Sequence, residues 1–194
     1  MLRKEQLEKL YQRGFSAKEI ANKVGYSESG VRYLLSKYSI PRRTISEAIY
    51  VKNNPRGDPF KIKENLSFEE AKLLGLGLGI FWGEGNKRSK CSVRVGNSDP
   101  KLIRKFIEFL DKICGVGKEK LKFNLQIFSD LSEDEVVDFW MDELKIERVQ
   151  FFKVIITPYR SLGNYNHKSN YGVITINFNN TKLKKIIDEM LANL

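Results

Sequence analysis

The sequence predicts an α+β protein in two parts, a small all-α N-terminal segment and a larger domain in which helices and strands alternate. Three observations carry this. The first 38 residues hold three short apolar patterns of helical period separated by glycines, residues 53–59 read Asn-Asn-Pro-Arg-Gly-Asp-Pro, and strand-type alternation interleaves with helical stripes from residue 91 onward. A chain of 194 residues can bury one sizeable core and a small accessory one. The division expected is 1–43, a linker over 44–66 with its clearest break near Asn53, and a domain over 67–194.

The first helix spans Leu2 to Arg13, with Leu7, Leu10 and Tyr11 inward and Gly14 as its stop. Ser16 and Glu19 form a capping box that opens a second, closed by Gly25. Ser27 caps a third, with Val31, Leu34 and Leu35 inward. Three short helices with a glycine turn before the last fit a helix-turn-helix, whose final helix enters the major groove; a trihelical protein-interaction module is the alternative. The segment also resembles resolvase-type helix-turn-helix sequences. Its candidate DNA contacts are Ser27, Ser29, Arg32, Tyr33 and Lys37. Arg42 and Arg43 follow Pro41 and read as a basic arm for a minor groove or as a solvated linker. Thr44 to Lys52 is expected to form a further helix.

Leu74 to Gly85 is apolar, rich in glycine, and ends on one acid, Glu84. Ser67 and Glu70 supply a capping box, so the helix is expected from Phe68 to Trp82. Gly75, Gly79 and Gly83 recur every four residues and make one bare stripe on which a second backbone can lie close. Glycines in a helix each cost ~1 kcal/mol against alanine, which favours a close-packing demand over the alternative, a buried core helix; the segment is too short for a membrane span. Glu84 meets the negative pole of the helix dipole, which suggests a cation there.

Downstream, Cys91 to Gly96 reads as a strand and Pro100 opens a helix to about Ile113. Lys120 to Phe128 alternates cleanly: Leu121, Phe123, Leu125 and Ile127 on one face, Lys122, Asn124 and Gln126 on the other. Amides can read adenine bidentately and lysine can take guanine or phosphate, so this face reads as a major-groove surface or as a solvated one. An acidic helix follows, then strands over Phe152 to Tyr159 and Val173 to Asn179 flanking a polar loop, and a last helix striped by Leu183, Ile186, Ile187 and Met190.

A formal charge of +10 favours an anionic partner, with nucleic acid the commonest. The charge is segregated. Residues 1–66 carry 14 Lys or Arg against 7 Asp or Glu, residues 86–128 carry 11 against 4, and residues 129–144 carry seven acids and no cation. The acidic helix should therefore face away from phosphates. Cys91 and Cys114 lack paired spacing and are expected in the core, and the sole histidine, His167, has no evident catalytic partners. Without a signal peptide or a run of spanning length, no membrane association and a cytoplasmic location are expected.

Gly79-Ile80-Phe81-Trp82-Gly83-Glu84-Gly85 resembles the signature helix of the LAGLIDADG homing endonucleases, with Trp82 at the family's first Asp and Glu84 at its final acid. The likeness continues through Asn97-Ser98-Asp99-Pro100, the strand Phe123 to Phe128, Phe139-Trp140 and Gln150-Phe151-Phe152-Lys153. It looks like the small subgroup whose signature reads Trp-Gly-Glu-Gly behind an N-terminal helix-turn-helix. The resemblance implies an αββαββα-like domain with a curved antiparallel DNA-binding sheet. It also implies Mg²⁺ at Glu84, with Lys153 and Asn97 as further catalytic candidates. One signature helix per chain implies a two-fold homodimer through Gly75, Gly79 and Gly83 on double-stranded DNA. Lys87, Arg88, Arg94, Lys120, Lys122, Asn124, Gln126 and Arg160 complete the candidate DNA contacts. Two functions fit: a Mg²⁺-dependent site-specific endonuclease, or a transcription regulator that keeps the scaffold without cutting.

Overall fold

The computed structural model describes residues 2–159 and 169–193. They form a mixed α+β protein in two compact units, Met1–Pro59 and Phe60–Leu194. Among the described residues no helix is long and apolar enough to cross a membrane. Arg160 and His167 lie outside the described residues.

The first unit holds α1 (Lys4–Gln12), α2 (Ala17–Val24), α3 (Glu28–Lys37) and α4 (Ile45–Asn53). Leu7, Ile20, Ala21, Val31, Leu34 and Leu35 form its core. Gly25 closes α2 with φ +70°, a left-handed conformation that glycine adopts without penalty. The stretch 44–66, expected as a linker, is structured at both ends. Thr44 caps α4, whereas Lys61 and Lys63 donate backbone hydrogen bonds at 2.9 Å to the carbonyls of Cys114 and Ile113 in the second unit.

The second unit runs α5 (Phe68–Glu84), β1 (Val93–Asn97), α6 (Pro100–Lys112), β2 (Lys122–Phe128), α7 (Glu133–Leu144), β3 (Ile155–Thr157), β4 (Val173–Phe178) and α8 (Thr181–Ala192). Its order is therefore α-β-α-β-α-β-β-α rather than αββαββα. After α5 the chain makes only a stub of pairing: Gly85 bridges Val95, and the Asn86 amide donates to the Arg94 carbonyl at 2.9 Å. The sheet, in the order β1-β4-β2-β3, is mixed and not antiparallel throughout, because β3 runs parallel to β2. The cause is the α7 crossover, which returns the chain to the end where β2 began. β4 lies antiparallel to both β1 and β2.

β3 is shorter than its apolar run. Phe151 stands opposite Phe123 and Ile155 opposite Gln126, four steps against three, so the extra residue breaks the ladder over 152–154. β1 begins at Val93, which leaves Cys91 exposed before it instead of in the core; Cys114 is buried, and burial pushes its thiol up to about 12.

Val93, Val95, Phe123, Leu125, Ile127, Ile174 and Ile176 pack with Phe81, Phe106, Phe109, Trp140, Leu183 and Ile187 of the four helices in one core. The helices thus cover one face of the sheet. Gly77 is part of this packing, since a Cβ there would overlap the Phe109 ring.

Candidate functional site

The uncovered face of the sheet is built by period-2 alternation, and its strand registers set which side chains meet. Arg94 of β1, Asn177 of β4 and Lys122 of β2 form one cross-strand row, and Gly96, Thr175 and Asn124 form the next. Gln126 lies between Val173 and Ile155. Gly96 is required beside Thr175, whose Oγ1 would stand 2.8 Å from any Cβ at that position.

An open cleft of about 480 Å³ lies over these rows. Its floor is Arg94, Gly96, Asn124, Thr175 and Asn177, and Glu84, Gly85 and Asn86 rise at its rim. Glu84 is exposed as the last residue of α5, whose final turn holds no cation. Among the described residues its carboxylate has no hydrogen bond or ion pair. Helix and stub therefore carry one unpaired carboxylate to the end of a sheet face otherwise furnished with donors.

The remaining predicted residues divide between this face and elsewhere. Lys122 donates to the Val149 carbonyl at 2.9 Å, and Gln126 donates to Thr157 Oγ1 at 3.2 Å. Lys87 and Arg88 are exposed in the turn after the stub, where Asn86 Oδ1 accepts from the amides of Arg88 and Ser89 at 3.1 Å. Lys120 is exposed in the turn before β2. Lys153 is exposed in the irregular stretch before β3 and does not line the cleft, although Ile155 does. Asn97 ends β1, and its Oδ1 accepts from the Asp99 amide at 2.8 Å, a turn that leads directly into the Asp99 cap of α6. No three His, Cys, Asp or Glu side chains gather anywhere among the described residues, and Glu84 is the one carboxylate that lines the cleft.

In the first unit Ser29, Arg32, Tyr33 and Lys37 share the exposed side of α3, and Tyr33 is 64% exposed. Ser27 Oγ accepts from the Gly30 amide at 3.1 Å and meets Ser29 Oγ at 3.1 Å, so it serves first as the helix cap. Arg32 pairs with Glu28 at 2.5 Å. Arg42 is exposed, but Arg43 is engaged within the unit. Its guanidinium donates to the carbonyls of Tyr11, Gly14 and Phe15 and stacks 4.1 Å from the Tyr11 ring centre. That arginine ties the end of α1 instead of forming a free arm.

α5 presents a second surface. Gly75, Gly79 and Gly83 are exposed, and a Cβ on any of them would meet nothing within 4 Å. Phe68, Leu76 and Trp82 flank them at 75%, 47% and 63% exposure, which leaves an apolar strip along the helix. Sequence reasoning missed Asn86, Thr175 and Asn177 as members of the cleft. The signal available was alternation, since Thr175 and Asn177 stand opposite Ile174 and Ile176 in the sequence of β4.

The chain is matched by none of the protein-family models, characterised proteins or solved structures with which it was compared.

Proposed function

We propose that the protein binds double-stranded DNA sequence-specifically as a two-fold homodimer and acts as a Mg²⁺-dependent endonuclease of LAGLIDADG type. The observation that carries this reading is the unpaired Glu84 at the rim of a cleft floored by Arg94, Asn124, Thr175 and Asn177. Donors on an open sheet face suit phosphates and the acceptor edges of bases. Bare glycines flanked by exposed Leu76 and Trp82 suit a second copy of α5, whose packing brings two Glu84 carboxylates together. Two carboxylates close together oppose joint ionisation unless a cation lies between them. Mg²⁺ fits this donor set, because it takes one or two carboxylates and completes its shell with water and phosphate oxygens. When bound it supplies a Lewis acid and a water made acidic enough to attack phosphorus. Lys153 is then the candidate to neutralise the phosphate, and Asn97 to orient solvent.

In the first unit, α2, the Gly25 turn and α3 act as a helix-turn-helix, with Ser29, Arg32, Tyr33 and Lys37 toward the duplex. Arg32 exchanges Glu28 for a base or phosphate on binding.

A regulator that binds without cutting is the second reading. The exposed Trp82, where the family carries its first Asp, and the single carboxylate lining the cleft favour it. Incubation with a randomised duplex library and Mg²⁺, scored for both enrichment and strand breaks, separates the two. Enrichment with breaks supports the nuclease, enrichment alone the regulator, and no enrichment rejects both.

A further inference from the structure

The open face of the sheet contains one buried polar side chain. Asn177 is only 4% exposed, although its neighbours across the strands are Arg94 on one side and Lys122 on the other. Its Nδ2 donates to the Thr175 carbonyl at 3.0 Å and to the Asn124 side chain at 2.8 Å. A backbone carbonyl can only accept, so the nitrogen of Asn177 must occupy this side. The atom it meets on Asn124 is then the oxygen. The Asn124 nitrogen is left facing the cleft.

We propose that Asn177 is a positioning residue that holds the Asn124 amide with its nitrogen outward, so that Arg94, Lys122 and Asn124 offer donors only and select guanine at one position of each half-site. The inference rests on the DNA-binding reading above. Guanine shows two acceptors, N7 and O6, to the major groove, whereas adenine and cytosine each add an amino donor that this patch would meet with donors of its own. Lys122 spends one proton on the Val149 carbonyl and keeps two. Bidentate reading of adenine by Asn124, expected from residue type alone, needs the amide oxygen turned toward the base, and Asn177 holds that oxygen turned inward.

Duplexes enriched by the unaltered full-length protein should carry guanine at one position per half-site. Replacing that guanine with 7-deazaguanine, which lacks the N7 acceptor, should weaken binding roughly tenfold. Asn177→Asp supplies only acceptors, turns the Asn124 oxygen outward, and should move the selected base to adenine or cytosine with the other positions unchanged. Asn177→Val removes the tether without adding charge and should lower the guanine preference roughly tenfold without replacing it. A merely structural asparagine would weaken binding at every position alike. Unchanged base preference in both folded variants, or a selected site without guanine, overturns the proposal. Should neither variant fold, side-chain amide exchange in the unaltered protein decides: slow for Asn177 and fast for Asn124 is expected, and the reverse overturns it. If the unaltered protein enriches no duplex, the DNA-binding reading falls and takes this proposal with it, a result distinct from all the others.

Discussion

Glu84 is poorly placed for stability, because a negative charge at the C-terminal end of α5 opposes the helix dipole and no cation of that turn answers it. Glu84→Gln is therefore expected to raise the stability of the free protein by ~0.3–1 kcal/mol, read by chemical denaturation. On the nuclease reading the same change abolishes Mg²⁺-dependent cleavage while DNA affinity without metal stays level or rises, since a carboxylate beside phosphates repels them. One selected duplex suffices for a paired cleavage assay and binding isotherm; cutting at the normal rate by the variant would reject the metal role. This residue was legible in the sequence because a glycine-flanked acid after an apolar run is a local pattern. Asn177 and Arg43 were not, because their roles depend on partners such as Asn124, 53 positions away, and Gly14, 29 positions away. Local spacing names a residue's face and leaves its partner open.

Among elements, α5 places its glycines in two environments, and the sequence alone separated the stripe but not what each side meets. Gly77 makes room for Phe109, whereas Gly75, Gly79 and Gly83 face open space in the single chain. Gly77→Ala should cost about 1–3 kcal/mol by overpacking, visible as a lowered thermal midpoint, and an unchanged midpoint would show that the Phe109 ring yields freely. The start of the same helix carries a pH dependence. Glu70 accepts from the Ser67 amide at 3.0 Å and from Lys63 Nζ at 2.6 Å, and the Lys63 ammonium first, then the Ser67 backbone amide, hold its carboxyl down at about 2, against an ordinary 4.5. A lowered folded pKa stabilises above the unfolded value. The cap's contribution is thus complete above pH 4.5 and is lost as pH falls from there through about 2. Protection from hydrogen exchange at the first turn of α5, taken relative to the intrinsic rate at each pH, should fall across that window in the native chain, and Glu70→Gln should remove this acid dependence. Capping boxes of this kind, at Ser16 and Ser67, made helix starts readable, and the structure adds a third at Thr44. The strand limits were not, as β3 shows: its apolar run promised eight residues, and an out-of-step edge pairing keeps three.

At the scale of the whole molecule, the sequence announced a sheet with one polar face but not its pairing, because alternation is the same for parallel and antiparallel neighbours. The α7 crossover settles β3 beside β2, and with it the position of Ile155 at the cleft. Assembly is tested at the bare side of α5. Gly79→Leu should block close approach and convert a dimer to a monomer in light scattering at micromolar concentration; a monomeric unaltered protein, with or without DNA, would dismiss the glycine interface. The last test concerns the division of labour between the two units, each of which has its own core and an excess of cations. Removal of residues 1–59 takes away 12 Lys or Arg and 6 Asp or Glu, so DNA binding should weaken and its salt dependence flatten, by roughly one unit of slope for each phosphate that is no longer neutralised. The sheet of the remaining unit still presents Arg94, Lys122, Asn124 and Gln126, so selectivity among duplexes should persist at lower salt. A truncated protein that binds all duplexes alike would assign sequence reading to α3 and leave the sheet to hold phosphates only.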